Sequence, residues 1–157
     1  MQNQFSLLVL AVAASLTGTA LAQGDDCTGA LNVSNGTFGP FTNAGSTTSA
    51  PAWPCGAGGN DVWFSYLALG TGNLTVDTCG ASYDSTLEVF DGTGGCGALV
   101  SLICNDDSCG LQSSVSVAVN IGTMYFIRVG GYFSGTGTFP LNVNGPAGSG
   151  TVATASV

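Results

Sequence analysis

Apolar residues recur at every second position through most of the chain. Val115, Val117 and Val119 alternate with Ser114, Ser116 and Ala118. Tyr125, Ile127 and Val129 form a second row, with Met124, Phe126 and Arg128 on the other face. Phe139, Leu141 and Val143 form a third, and the pairs Leu74 with Val76 and Leu87 with Val89 two more. A period of two places each row on one side of an extended strand. Val62, Phe64 and Tyr66 alternate with Trp63, Ser65 and Leu67, so this strand is expected to be covered on both faces. Leu99–Ile103 is a further strand, and Leu31–Val33 and Phe38–Thr42 are shorter candidates. Glycine-rich turns such as Asp91-Gly92 and Gly94-Gly95 separate the runs. Past the N-terminal segment no stretch carries an apolar period of 3.6. Eight or nine strands, spaced by about 8 to 14 residues, predict an all-β, two-sheet sandwich.

The N-terminal segment differs. Phe5–Leu16 is an apolar run, too short to span a bilayer, which takes ~20 residues. Ala20-Leu21-Ala22 before Gln23 fits a signal-peptide cleavage site, although Met1–Gln4 has no basic residue. The expected organisation is a secretion signal over 1–22, one sandwich domain over 23–144 and a flexible small-residue tail over 145–157.

Composition narrows the chemistry. The 157 residues include 1 Lys or Arg, 9 Asp or Glu and no His, for a net charge of −8. A single cation, Arg128, argues against a nucleic-acid partner and against anionic membrane surfaces. Without His or Lys, Ser-His-Asp, Cys-His and Schiff-base catalysis are excluded. The reading is therefore of a protein that is not an enzyme and does not insert in a membrane. Six cysteines, Cys27, Cys55, Cys79, Cys96, Cys104 and Cys109, include no C-x-x-C pair. In a secreted chain they read as three disulfides, each contributing ~2–4 kcal/mol. Sequence leaves the connectivity open; Cys27–Cys55 is the single pair expected first. Cys79, Cys104 and Cys109, with Cys55, are expected at one end of the sandwich, and Cys96 at the opposite one.

The string Gly59-Asn60-Asp61-Val62-Trp63-Phe64-Ser65-Tyr66 resembles the Asp-x-Trp-Phe-x-Tyr strand of the bacterial pre-peptidase C-terminal (PPC) domain family. In order there follow Thr78-Cys79-Gly80, Tyr83 to Gly92, Cys104-Asn105-Asp106-Asp107, Cys109 to Ser113, and Tyr125 to Gly131. Together they resemble a Cys-rich variety of that domain over roughly residues 25–143. The resemblance implies a disulfide-stabilised sandwich of jelly-roll type, usually a non-catalytic appendage of secreted proteins, some of which bind calcium or carbohydrate. Tyr83-Asp84-x-x-Leu87-Glu88-Val89-x-Asp91-Gly92 is also similar to a strand of CUB domains, the runner-up.

All nine carboxylates lie between Asp25 and Asp107. The strand order brings Asn105, Asp106 and Asp107 back beside Asp84, and Asp61 is expected at the same end. Ca²⁺ takes six to eight oxygen ligands, so Asp84, Asn105, Asp106, Asp107 and Asp61 are the candidate metal residues. The competing account is that Asp and Asn cap turns and keep the protein soluble. A glycosidase pair is disfavoured, because Asp84 and Glu88 on one strand lie ~13 Å apart at ~3.3 Å per residue. Trp53, between Pro51 and Pro54, and Tyr132 with Phe133 are candidate platforms for a sugar ring; the alternative is that they extend a small core. The function expected is a secreted or extracellular binding or adhesion module, calcium-stabilised in one version, whose partner is carbohydrate or another surface protein. The alternatives are a structural surface or assembly protein and, less favoured, a carbohydrate-active enzyme.

Overall fold

Each alternating run becomes a strand in the computed structural model, which describes residues 24–148. The strands are β1 (Leu31–Val33), β2 (Gly36–Thr42), β3 (Gly58–Leu67), β4 (Gly72–Asp77), β5 (Ser85–Asp91), β6 (Val100–Asn105), β7 (Ser114–Val119), β8 (Met124–Tyr132) and β9 (Thr138–Asn144). One sheet has the order β1-β3-β8-β5-β6 and the other β2-β9-β4-β7. Only β1 with β3 is parallel; the remaining pairs are antiparallel. The expected signal segment lies outside the described residues, as do residues 149–157 of the expected tail. Gly145, inside that tail, is held by Asn35, which bonds both its N–H and its carbonyl.

The core fills the space between the sheets. Phe64, Leu87, Val89, Ile127 and Val129 from the first sheet face Leu74, Val76, Phe139 and Leu141 from the second, all of them buried. Phe64 and Phe139 meet edge to face at 6.2 Å. Each such side chain contributes ~1.5–3 kcal/mol through removal from water.

The outer face of the five-stranded sheet is covered as well. Trp63, Glu88, Phe90 and Arg128 point away from the core and are still fully buried. The cover is the long connection between β2 and β3, residues 43–57, together with a 3-10 turn at Cys27–Gly29. Double coverage of β3, expected from its apolar residues on both faces, is thus met.

The three bridges are Cys27–Cys96, Cys55–Cys104 and Cys79–Cys109. The expected Cys27–Cys55 pair is wrong, and the cause is local. Trp63 N–H donates to the Gly24 carbonyl at 2.7 Å. That bond lays the N-terminal segment along the outer face, where Cys27 joins Trp63 and Phe90 in an apolar cluster bordered by Cys96 and Leu99. Cys55 sits instead on the 43–57 cover, above Cys104 of β6. Cys96 belongs to the hairpin tip after β5, so Cys27 pairs toward that end.

Candidate functional site

Two constellations of charge stand out, one buried and one exposed. The buried one surrounds Arg128 on β8. Register places Trp63 of β3 and Glu88 of β5 directly across from it on either side. Arg128 Nη2 donates to Glu88 Oε2 at 2.5 Å, and Nη1 donates to the Pro51 and Ser49 carbonyls at 2.6 and 3.2 Å. The guanidinium carbon lies 3.9 Å from the centre of the Trp53 ring. Glu88 also accepts from Ser101 Oγ at 2.6 Å. Asp61 accepts from Ser49 and from Trp63 Nε1, with Arg128 Nη1 3.8 Å away. Burial pushes the Asp61 carboxyl above its ordinary value, while those hydrogen bonds and Arg128 pull the other way.

This arrangement removes Asp61 from the expected metal set. Asp61 stands across from Gly130, and Gly130 across from Thr86, so β8 and β5 separate it from β6. At ~4.8 Å per strand that puts it about 14 Å from Asp106. Asp61 already has a cation, because Arg128 serves both Asp61 and Glu88. Trp53 is likewise no free platform. Its ring packs on Arg128 and lies over Gly58 and Gly130, where a Cβ would come within 2.3 and 2.6 Å of ring atoms. Sequence reasoning missed this network. Its one signal was the lone Arg128 on a strand whose opposite face reads Tyr-x-Ile-x-Val.

The exposed constellation is at the rim where β8 ends and β5 begins. Tyr132 N–H donates to the Asp84 carbonyl at 2.9 Å, and Phe133 N–H to the Ala57 carbonyl at 2.7 Å. The two rings meet edge to face at 4.4 Å, and Phe133 is 63% exposed. Phe133 adopts φ +50, a left-handed conformation that bulky side chains avoid. Close backbone approach holds it there. A Cβ on Gly59 would sit 1.7 Å from the Phe133 carbonyl oxygen, and one on Gly131 would sit 1.8 Å from that of Gly135. Asp106 joins the rim from β6. Its Oδ1 accepts from Thr86 Oγ1 at 3.0 Å, and its carboxylate lies against Gly56, next to the Ala57 that anchors Phe133. Burial, then the charges of Asp106 and Asp107, raises the Asp84 carboxyl above 3.8.

The structure therefore gathers Asp84, Asp106, Asp107, Tyr132 and Phe133, and leaves out Asp61 and Trp53. Asn105 is adjacent but occupied: its Oδ1 accepts from Ser114 N–H at 3.1 Å, fixing the link between β6 and β7. Among the described residues no group of three or more His, Cys, Asp or Glu side chains is placed to hold a metal ion. A groove of about 310 Å³ lies elsewhere, along β2 and β9 of the four-stranded sheet between Phe38, Pro40, Gly80 and Pro140, and no titratable side chain lines it.

No family model matches the chain, and no curated protein matches it. Among solved structures it is similar to the pre-peptidase C-terminal domain of collagenase from Bacillus anthracis, with a TM-score of 0.48 and 14% identity over 73% of this chain and 94% of that one. It is also similar to PliG of Aeromonas hydrophila, a periplasmic lysozyme inhibitor of g-type lysozyme, with a TM-score of 0.42 and 14% identity over 73% of this chain and 96% of that one. Both are likenesses of chain trace at low sequence identity.

Proposed function

We propose that the chain is a secreted, non-catalytic binding or adhesion module of the cell surface or extracellular matrix, and that it recognises carbohydrate or another surface protein through the rim of Asp84, Tyr132 and Phe133. The exposed Tyr132–Phe133 pair, clamped by glycine contacts in a turn that disfavours a Phe, carries this reading. A bulky aromatic ring held outward against a backbone preference is a feature of ligand contact more than of core packing. Three disulfides and no free cysteine among the described residues fit an extracytoplasmic protein. Among those residues no helix is long and apolar enough to cross a membrane.

Binding of the chain and of Phe133→Ala to a glycan array and to surface-protein extracts tests the reading. Loss of binding in a variant with unchanged melting supports the rim. Retained binding refutes it. One observation favours the structural or assembly alternative: β6 ends its sheet with an unpaired edge, and Val100 and Leu102 beside it are 59% and 40% exposed. Ordered self-association in sizing that Val100→Lys abolishes would favour that second reading.

A further inference from the structure

We propose that the rim takes a cationic side chain, the guanidinium or ammonium of a basic protein partner, seated on Tyr132 and Phe133 and drawn there by the negative charge of Asp84, Asp106 and Asp107. The inference rests on the rim being the recognition surface and adds what that surface selects.

The chain has one Lys or Arg, and Arg128 is fully buried. Of nine acidic residues Asp61 and Glu88 are buried around it, leaving seven at least partly exposed and unopposed by any Lys or Arg. The exterior is therefore of one sign, which attracts positive partners over distance. Charge alone chooses no place, and the aromatic pair does. Ring faces attract ammonium and guanidinium groups, and an exposed aromatic next to carboxylates supplies contact area and charge together. The chain already uses this chemistry inside, where Arg128 lies against Trp53 and pairs with Glu88.

Hydrogen-bond polarity at the turn suits a donor-only group. The Tyr132, Phe133 and Gly135 N–H groups are spent on the carbonyls of Asp84, Ala57 and Tyr132. The turn backbone thus has no free donor at these positions, while the neighbouring carboxylates are pure acceptors. A guanidinium or ammonium, which only donates, matches that surface. A sugar hydroxyl would use the same acceptors and could also accept from the Tyr132 and Ser134 hydroxyls, so it is the negative charge that favours the cation. Burial and then the charges of Asp106 and Asp107 raise the Asp84 carboxyl, and the second of these is relieved when a cation arrives.

An oligo-arginine peptide titrated into the full chain by calorimetry, at low and at physiological salt, tests this. Asp84→Asn/Asp107→Asn and Phe133→Ala are each expected to weaken binding about tenfold, with Phe133→Tyr restoring it. Asp91→Asn, a single charge removed from the hairpin at the far end of β5, changes it less than about twofold. Melting curves show that each variant is folded. Equal loss in Asp91→Asn and in the rim variants means diffuse attraction and overturns the proposal. Phe133-dependent glycan binding without peptide binding overturns it while leaving the rim as the recognition surface. Absence of Phe133-dependent binding to either ligand overturns both.

Discussion

The Arg128 guanidinium rests 3.9 Å from the centre of the Trp53 ring, so the only cation in the chain is sealed by an aromatic lid on a face of the sheet that is ordinarily wet. That contact ties the 43–57 cover to the sheet and holds Glu88 and Asp61 in balance beneath it.

Removing the cation leaves that balance broken. Arg128→Ala strands Glu88 and Asp61 as buried carboxylates, and about 3–5 kcal/mol of stability is expected to be lost in urea unfolding. Arg128→Met combined with Glu88→Leu removes both members of the short pair and is expected to be milder than Arg128→Ala alone. A double variant as unstable as the single one would mean that packing, and not charge, dominates the site.

The Phe133 backbone offers a gain in stability at the expense of binding. Relief of a left-handed φ is worth ~1 kcal/mol, so Phe133→Gly is expected to raise the melting midpoint by a few degrees. The same variant should lose the ligand. Destabilisation by Phe133→Gly would show that the ring packs on the protein.

The pH dependence of the rim has a definite sign. Asp84 has a folded-state carboxyl raised above 3.8, so the folded form holds its proton more tightly than the unfolded chain. Folding is therefore favoured by this group at low pH, and the advantage disappears as pH climbs from about 4 through the raised value. Asp84→Asn should become more stable relative to the parent as pH is raised across that window. A difference that stays flat from pH 4 to 7 would contradict the raised carboxyl, which burial and then the Asp106 and Asp107 charges produce.

The Cys55–Cys104 bridge closes a separation of 49 residues and pins the cover. Replacing both cysteines with Ala is expected to cost ~2–4 kcal/mol. Tryptophan emission should shift to the red as Trp53 lifts from Arg128. Unchanged emission would mean that the carbonyl contacts to Arg128 hold the cover alone.

Calcium at the rim is tested by melting the chain with the ion and then with chelator: a raised midpoint supports a site at Asp84, Asp106 and Asp107, and an unmoved midpoint excludes it. Ligand at 100 times its dissociation constant would add ~2.7 kcal/mol, well within calorimetric reach.

The strands were legible because alternation depends on neighbours in sequence: Val115-Val117-Val119 and Tyr125-Ile127-Val129 declare a buried face by themselves. The rim was legible in part. The return of β6 beside the start of β5 follows from two consecutive antiparallel strands, which brings Asp106 to Asp84. Cys27–Cys96 and the Arg128 network were not legible, since both depend on segments folded back over an outer sheet face. Nothing local in Gly24–Cys27 or in Ser49–Pro54 states which strand they will cover. Asp61 was misplaced for the same reason: its position along β3 was right, but its distance across the sheet depends on strand order.

The most direct test of the account is a map of backbone amide shifts in the labelled chain on addition of an oligo-arginine peptide. The account predicts that the largest changes cluster at Ala57, Asp84, Asp106, Asp107 and Tyr132–Gly135. A silent rim, with the changes instead at Val100–Leu102 or around Phe38 and Gly39, would contradict it.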